Sequence, residues 1–492
     1  MHNSAKTARA QQRPWPRPIS GTSRDLRDWV HFVWESIVLG GRRFPVPADG
    51  THGVAQLAEV LAQALLSTRG EASGATIAQE LLDLLDDFSI DDRARFLVFL
   101  SERFDVDHDL LAKAARAYLD KPGWEMAARL AAAAEPPRQE LLRRINMGHG
   151  GTRRLISLRE DLATLIPANP ILQALDTDLR HLLASWFNRG FLELRQIDWQ
   201  TSASILERLI TYEAVHEVQG WDDLRRRLAP DRRCFGFFHP ALPDDPLIFV
   251  EVALVEGLAG SVDDLLERNT DERTRCARAE AADTAIFYSI SNCQAGLRGI
   301  SFGNFLIKQV VEILRVQLPA LRRFATLSPV PGFRNWLDRQ LAQDLLPDCD
   351  WPAAIRKAFG PVEDLAAALK DALGQPGWEK DPAANARLGP LLCGLCAVYL
   401  TRSATVGQSP IDPVARFHLS NGARLERVNW MGNPGERGLR ESWGIMVNYE
   451  YDPVMIEANR ERFTRAREVA RSREVDVLIG KSESGPRRLL EH

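Results

Sequence analysis

Three stretches of this chain carry residue types and spacings that could do chemistry, and a fourth offers side chains beside them. The first, Arg298–Gly303 (RGISFG), lies between an apolar, β-favouring run (AIFYSISN) and a helical pattern (FLIKQVVEILRVQ). It fits a loop of the form Arg/Gln-x-x-Gly-x-Gly/Ala, except that Ser301 stands at the first glycine. Backbone N–H groups at the start of the following helix have no partners within it, and the helix dipole stands behind them, so such a loop is an anion site. Glycine would let the backbone approach a bulky pyrophosphate closely. A purely structural turn would use the same glycines. The second is Ser328, which ends a short strand pattern (FATLS) and is followed by Pro329, Pro331 and Gly332. A hydroxyl there either faces a cleft or serves a turn. The third, RFHLSNGARLERVNW, reads as a strand and puts His418 beside a turn, and NYEYDP offers Tyr449 and Tyr451.

Other chemical signals dissolve on inspection. CGLC at Cys393–Cys396 has metal or redox spacing, but no second pair follows and its flanks are Leu-rich, so it reads as buried cysteines on a core helix. DVDHDL at Asp105–Leu110 opens like a calcium loop, yet Leu110 sits where glycine is needed and Arg116 where the bidentate acid belongs. MGHGGTRR at Met147–Arg154 lacks the Gly-Lys-Ser/Thr of a phosphate loop and reads as an inter-helix connection. The ten histidines show no metal-binding spacing, so no metal site is expected.

The elements that must position these residues fall into two compositions. From about residue 23 to 191, GVAQLAEVLAQALLS, TIAQELLDLLDDF and DDRARFLVFLSERF repeat apolar residues every three or four positions, the pattern of an all-α helical bundle built from hairpins. Residues 192–465 read as mixed α/β, with a β-hairpin in RCFGFFHPALPDDPLIFVEVALVEG, further strands in TAIFYSI, RFATLSPV and WGIMVNYEY, and a helical insertion near 338–408. Residues 1–22 read as an extended or disordered arm, because Pro14, Pro16 and Pro18 break any targeting helix. Residues 466–492 read as a polar tail. The length of 492 residues implies more than one domain. A net charge of −4 carries no signature of nucleic-acid or membrane binding, and no apolar run suggests a membrane span. Six cysteines do not make a disulfide framework, which points to a reducing compartment.

Taken together and in order, FYSISNCQAGLRGISFGNFLIKQV, LSPVPGFRNWL, HLSNGARLERVNWM and WGIMVNYEY closely resemble the malonyl-CoA decarboxylase family, as does ITYEAVHEVQGWDDLRRRLAPDRRCFGFFHP. The likeness covers roughly 190–455. It implies an α+β chain: an N-terminal helical bundle for packing and oligomerisation, then a GNAT-like acetyltransferase-type catalytic domain. It implies conversion of malonyl-CoA to acetyl-CoA and CO2 without a metal or organic cofactor. By the same resemblance the CoA-binding loop falls on Arg298, Gly299, Ile300, Ser301, Phe302, Gly303 and Asn304, and the catalytic side chains are Ser328 and His418, with Tyr451 in support. Ser301 stands where some relatives carry an acid, so no essential role is expected there. His418 is expected as general acid, because imidazole donates near neutral pH. Ser328 is expected to bond the malonyl carboxylate or relay a proton. Arg298, Lys308 and the pair Arg322–Arg323 are candidates for phosphate charge. A homo-oligomer, dimer or tetramer, in a bacterial cytoplasm is expected. Two other classes share such a scaffold: an acyltransferase that passes the acyl group to an amine, and a non-catalytic acyl-CoA sensor.

Overall fold

The computed structural model describes residues 52–67, 71–213, 215–267, 271–300, 306–343, 357–360, 364–402 and 412–480. The chain divides into two compact units, Met1–Leu183 and Ala184–His492. The described part of the first unit is helical, with helices His52–Ser67, Glu71–Asp86, Ile90–Arg103, His108–Asp120, Trp124–Ala134, Pro137–Ile145 and Gly151–Leu165, and it holds most of Leu172–Trp186. Leucines at the periodic positions fill its core, among them Leu61, Leu81, Leu100, Leu141 and Leu162. The rejected calcium loop is a helix start, where Asp107 caps His108–Asp120 by accepting from Leu110 N at 2.9 Å. The glycine run at 148–151 connects two helices, and Gly150 adopts a left-handed φ of 73°.

The second unit is built on an eight-stranded sheet: β1 Glu193–Ile197, β2 Arg232–Phe238, β3 Ile248–Val255, β4 Thr284–Asn292, β5 Arg323–Thr326, β6 Ser328–Pro329, β7 Arg424–Asn429 and β8 Met446–Glu450. The order is β1-β2-β3-β4-β5-β8-β6, with β7 paired to β8. The expected hairpin is β2–β3, and β3 is buried at all but its last residue, as suits a strand covered on both faces. One face carries Ala253, Ile286, Tyr288, Ala325 and Leu327 in a single apolar cluster. Every paired neighbour is antiparallel except β4 and β5, which run parallel from Thr284↔Arg323 to Phe287↔Thr326. A helix, Leu306–Gln317, makes the crossover that a parallel pair requires.

That parallel pair comes apart. Its last link is Leu327 N donating to Phe287 O at 3.0 Å. Beyond it β4 continues to Asn292 against β3, while the other chain turns to pair Ser328 with Val447 of β8. A bulge in β4 sits at the same point: Phe287 faces Val252 and Ser289 faces Glu251, which leaves Tyr288 over and bends the strand. A helical region followed by a mixed-sheet domain is the architecture expected from the sequence.

Three expectations need correction. RFHLSNGARLERVNW is not one strand: Pro413–Ser420 is helix and only Arg424–Asn429 is strand. Asp412 followed by Pro413 is a helix-start signal, and it prevails over the β-favouring residues. Residues 466–480 are not a free tail. Ala470 O accepts from Leu425 N at 2.9 Å, Ser472 N donates to Leu425 O at 3.0 Å, and the helix Arg473–Leu478 buries Val475. Finally, Pro382–Thr401 is long and apolar enough to cross a membrane, but 72% of it is buried inside the protein, where it serves as a core helix. It carries Cys393 and Cys396, both buried, and burial pushes the Cys393 thiol up to about 12. The expected arm at 1–22 lies outside the described residues.

Candidate active site

Thr326 and Ser328 are two residues apart on the broken strand, so their side chains share a face. Ser328 Oγ donates to Thr326 Oγ1 at 2.8 Å. Thr326 Oγ1 also accepts from Tyr449 N at 3.2 Å, and Asn448 Nδ2 donates to Thr326 O at 2.8 Å. Side chains thus satisfy the backbone where the ladder is interrupted.

His418 comes from the last turn of the Pro413–Ser420 helix. The chain leaves that helix through Gly422, whose φ is 85° and where a Cβ would stand 2.1 Å from Ile456 O. Only glycine fits there, and it fixes where the helix stops. His418 Nε2 lies 3.1 Å from Ser328 Oγ, and Nδ1 lies 2.8 Å from Tyr451 Oη. The imidazole stacks on Tyr449, with ring centres 4.6 Å apart and planes at 22°. Tyr451 is held by its own N–H, which donates to Phe324 O at 2.7 Å. Three side chains singled out from sequence, Ser328, His418 and Tyr451, therefore meet, although 90 residues separate the serine from the histidine.

Protons can be assigned along this chain. Ser328 spends its single proton on Thr326, so Nε2 carries the imidazole hydrogen and donates to Ser328 Oγ. Nδ1 is then the acceptor and Tyr451 O–H the donor. All four side chains are nearly inaccessible: Ser328 is 5% exposed, His418 3%, Tyr451 2% and Thr326 0%. Burial pulls the His418 pKa down to about 3 and pushes Tyr451 well above its usual range. The expectation of an imidazole poised near neutral pH does not hold for the free protein, because burial disfavours the charged ring and, among the described residues, no carboxylate supports its charge.

The loop predicted for CoA is described in part. Arg298 follows a short 3₁₀ turn, Ala295–Leu297, and Ile300 is buried. Gly299 has a φ of 79°, which favours glycine. Ser301, Phe302, Gly303 and Asn304 lie outside the described residues. Two of the candidate phosphate cations are committed elsewhere: Lys308 pairs with Glu457 at 3.4 Å, and Arg323 pairs with Glu450 at 3.2 Å and Glu426 at 3.3 Å. Among the described residues no three His, Cys, Asp or Glu side chains gather as a metal site would need.

Sequence reasoning missed Thr326, Asn448 and Asp412. Thr326 had a signal, since it stands two positions before Ser328 in a strand. Asn448 and Asp412 had none as site residues, because their partners are remote in the chain.

Comparison with known proteins decides what this site belongs to. Residues 190–488 match the malonyl-CoA decarboxylase C-terminal domain, and residues 104–187 match the N-terminal domain. The chain belongs to the malonyl-CoA decarboxylase family. The mitochondrial malonyl-CoA decarboxylase of Rattus norvegicus is 34% identical over 417 residues, covering 80% of this chain and 82% of the relative. Solved structures of malonyl-CoA decarboxylase from Agrobacterium vitis and Rhodopseudomonas palustris are 47% and 46% identical, with TM-scores of 0.78 and 0.77. Each covers 86% of this chain, and the chain covers 100% and 98% of them.

The buried imidazole makes a stability prediction. The unfolded chain binds a proton at His418 near pH 6.5, while the folded chain refuses it down to about pH 3. Stability is therefore intact above pH 6.5 and falls as pH drops through that window, by about 2 kcal/mol at pH 5 for this one group. Urea unfolding of the wild type and His418→Gln at pH 7.5 and pH 5 should show the variant losing less by that amount. Equal losses would mean that the folded protein protonates His418 readily.

Proposed function

We propose that Ser328, His418 and Tyr451 act on the malonyl end of malonyl-CoA, held where β4 and β5 part. The chain is a carboxy-lyase that converts malonyl-CoA to acetyl-CoA and CO2. One observation supports assigning the chemistry to these residues: a buried serine–imidazole hydrogen bond of 3.1 Å immediately past the point of splay.

The reaction sets three tasks. The bond between C2 and the carboxylate must stand perpendicular to the thioester plane, so that its electron pair flows into the carbonyl as CO2 leaves. The resulting enolate oxygen needs fixed donors. Beyond Phe287 no described strand lies beside β4 on this side, and we assign its alternate backbone N–H groups to that oxygen. C2 must then gain one proton. The loop Arg298–Asn304 is our assignment for the CoA pyrophosphate, with the Leu306–Gln317 helix behind it.

The proton's route follows from the dry imidazole. A neutral imidazole is a poor acid, so His418 must be charged before it can deliver. The malonyl carboxylate brings the missing counter-charge. Raising the pKa from about 3 to above 7 takes roughly 5 kcal/mol. A carboxylate about 4 Å away supplies roughly 4 kcal/mol at an effective dielectric of 20, and more in a drier site. Substrate binding therefore recruits a proton onto His418. CO2 departs neutral, the negative charge passes to the enolate, and the imidazolium then passes its proton through Ser328 to C2. Tyr451 holds the ring in place from the other nitrogen.

Two proposals concern the setting. The hairpin His108–Asp120 and Trp124–Ala134 buries none of its side chains, and it exposes Leu119 at 74% and Trp124 at 81%. We assign this apolar face to contact with a second copy of the chain. The five described cysteines are free thiols, which supports a reducing compartment, on our reading the bacterial cytoplasm.

Incubation with malonyl-CoA alone should release CO2 and form acetyl-CoA, whereas an absolute need for an amine would favour acyl transfer. Ser328→Ala and His418→Ala should each cut kcat by about 10²- to 10⁴-fold. The double variant should be little worse than the poorer single one, because both act on one transition state. Additive losses, or a well-folded His418→Ala enzyme with normal turnover, would remove the pair from the mechanism.

Proton recruitment has its own measurement. A thioether analogue that keeps the carboxylate but lacks the carbonyl binds without reacting. Calorimetry in buffers of different protonation enthalpy should register uptake of about one proton with this analogue at pH 7.5. Acetyl-CoA should give none, nor should the analogue with His418→Ala. Uptake that ignores the carboxylate would sink the idea.

For assembly, Leu119→Glu with Trp124→Glu should lower the mass seen by sedimentation while leaving the circular dichroism unchanged. An unaltered mass would place the contact on another surface.

A further inference from the structure

We propose that Asp412 is a positioning residue which sets the Ser328–His418 separation by tying the serine's loop and the histidine's helix to one carboxylate. The inference rests on the reading of those two side chains given above. Asp412 Oδ1 accepts from Val414 N at 2.9 Å and from Ala415 N at 3.1 Å, the ordinary work of a helix N-cap. Oδ2 does something that capping does not explain: it accepts from Gly332 N at 3.0 Å, across 80 residues of sequence. Tyr399 Oη stands 3.5 Å from the same oxygen, at the limit of a hydrogen bond. The carboxylate is 1% exposed.

The links on both sides are stiff. From Ser328 to Gly332 the chain reads Ser-Pro-Val-Pro-Gly, so two prolines fix φ and Val330 is fully buried. From Ala415 to His418 is one helical turn. The circuit closes through the 3.1 Å contact between the two catalytic side chains. A ring of short rigid segments passes a displacement at Asp412 straight to that contact.

Gly332 carries an independent sign of the same clamp. Its φ of −91° suits any residue, so conformation does not demand glycine. Space does: a Cβ there would lie 2.3 Å from Tyr399 Oη and 3.1 Å from Asp412 Oδ2. The bare N–H is what lets the loop reach the carboxylate.

Asp412→Asn keeps an oxygen for the helix cap but turns an amide group toward Gly332 N–H. Turnover should fall by about 10- to 100-fold, the usual cost of misplacing a catalytic group by about an ångström. Affinity for CoA should stay within about threefold, since the clamp lies at the malonyl end. Gly332→Ala breaks the same link from the other side with the carboxylate intact, and should lose turnover similarly. Adding Tyr399→Phe should restore much of it, because the nearest remaining ring atom is then 3.5 Å from the new methyl group. In a His418→Ala background, Asp412→Asn should cost nothing more, whereas a merely structural residue would slow that enzyme by the same factor again. Full turnover in Asp412→Asn and Gly332→Ala, with Ser328→Ala and His418→Ala impaired, would overturn the clamp alone. Full turnover in those last two would overturn the catalytic reading and the clamp with it.

Discussion

The interruption of one strand at Leu327 is the constraint on which the rest of the site depends. Residues 323–326 still pair with β4, and residues 328–329 pair only with β8. A sheet cannot open within its interior unless the released backbone groups find other partners. Here the amide of Asn448 takes the Thr326 carbonyl, and the Thr326 hydroxyl takes the Tyr449 N–H. With those groups of the broken strand paired to side chains, the strands can diverge. The divergence leaves β4 beyond Phe287 with no described strand on that side, and Ser328 stands just past the point where the pair ends.

The chemistry then depends on dryness. Thr326, Ser328, His418 and Tyr451 form a hydrogen-bonded series in which each member satisfies the next, which is the condition for keeping polar side chains out of water. The Tyr449 ring closes one face of the imidazole. Low dielectric suppresses charge on the ring, and it magnifies the effect of any charge brought near it.

Much of this was legible in the sequence, for local reasons. The helical period and the β2–β3 hairpin are short-range patterns, and the structure contains them; the strand read as ending at Ser328 stops at Thr326, and Ser328 opens the next. The motifs quoted for the family were sufficient to bring Ser328, His418 and Tyr451 into one site. His418's own element was misread, because RFH favours strand by residue type while Asp412–Pro413 is a helix start, and the cap decided. The pKa of His418 was not legible at all: it depends on which side chains surround the ring, and those come from β5, β6 and β8. Residues 466–480 were read as tail for their polarity, although Val469 and Val475 are buried, and two backbone hydrogen bonds and one from the Ser472 hydroxyl hold the segment to β7. Ser301–Asn304, the heart of the predicted CoA loop, lie outside the described residues.

A site assembled from two hydroxyls, a phenol and an uncharged ring has a consequence for the protein's history. Active sites that store unpaired charge weaken their own folds, so stability and activity are traded against each other. On the proposed mechanism the resting site asks little of the surrounding core, since an ionic cost would arise only with substrate bound and would be offset by its carboxylate. An uncharged resting series such as this lets the fold keep its polar site without the stability loss that a buried unpaired charge would bring.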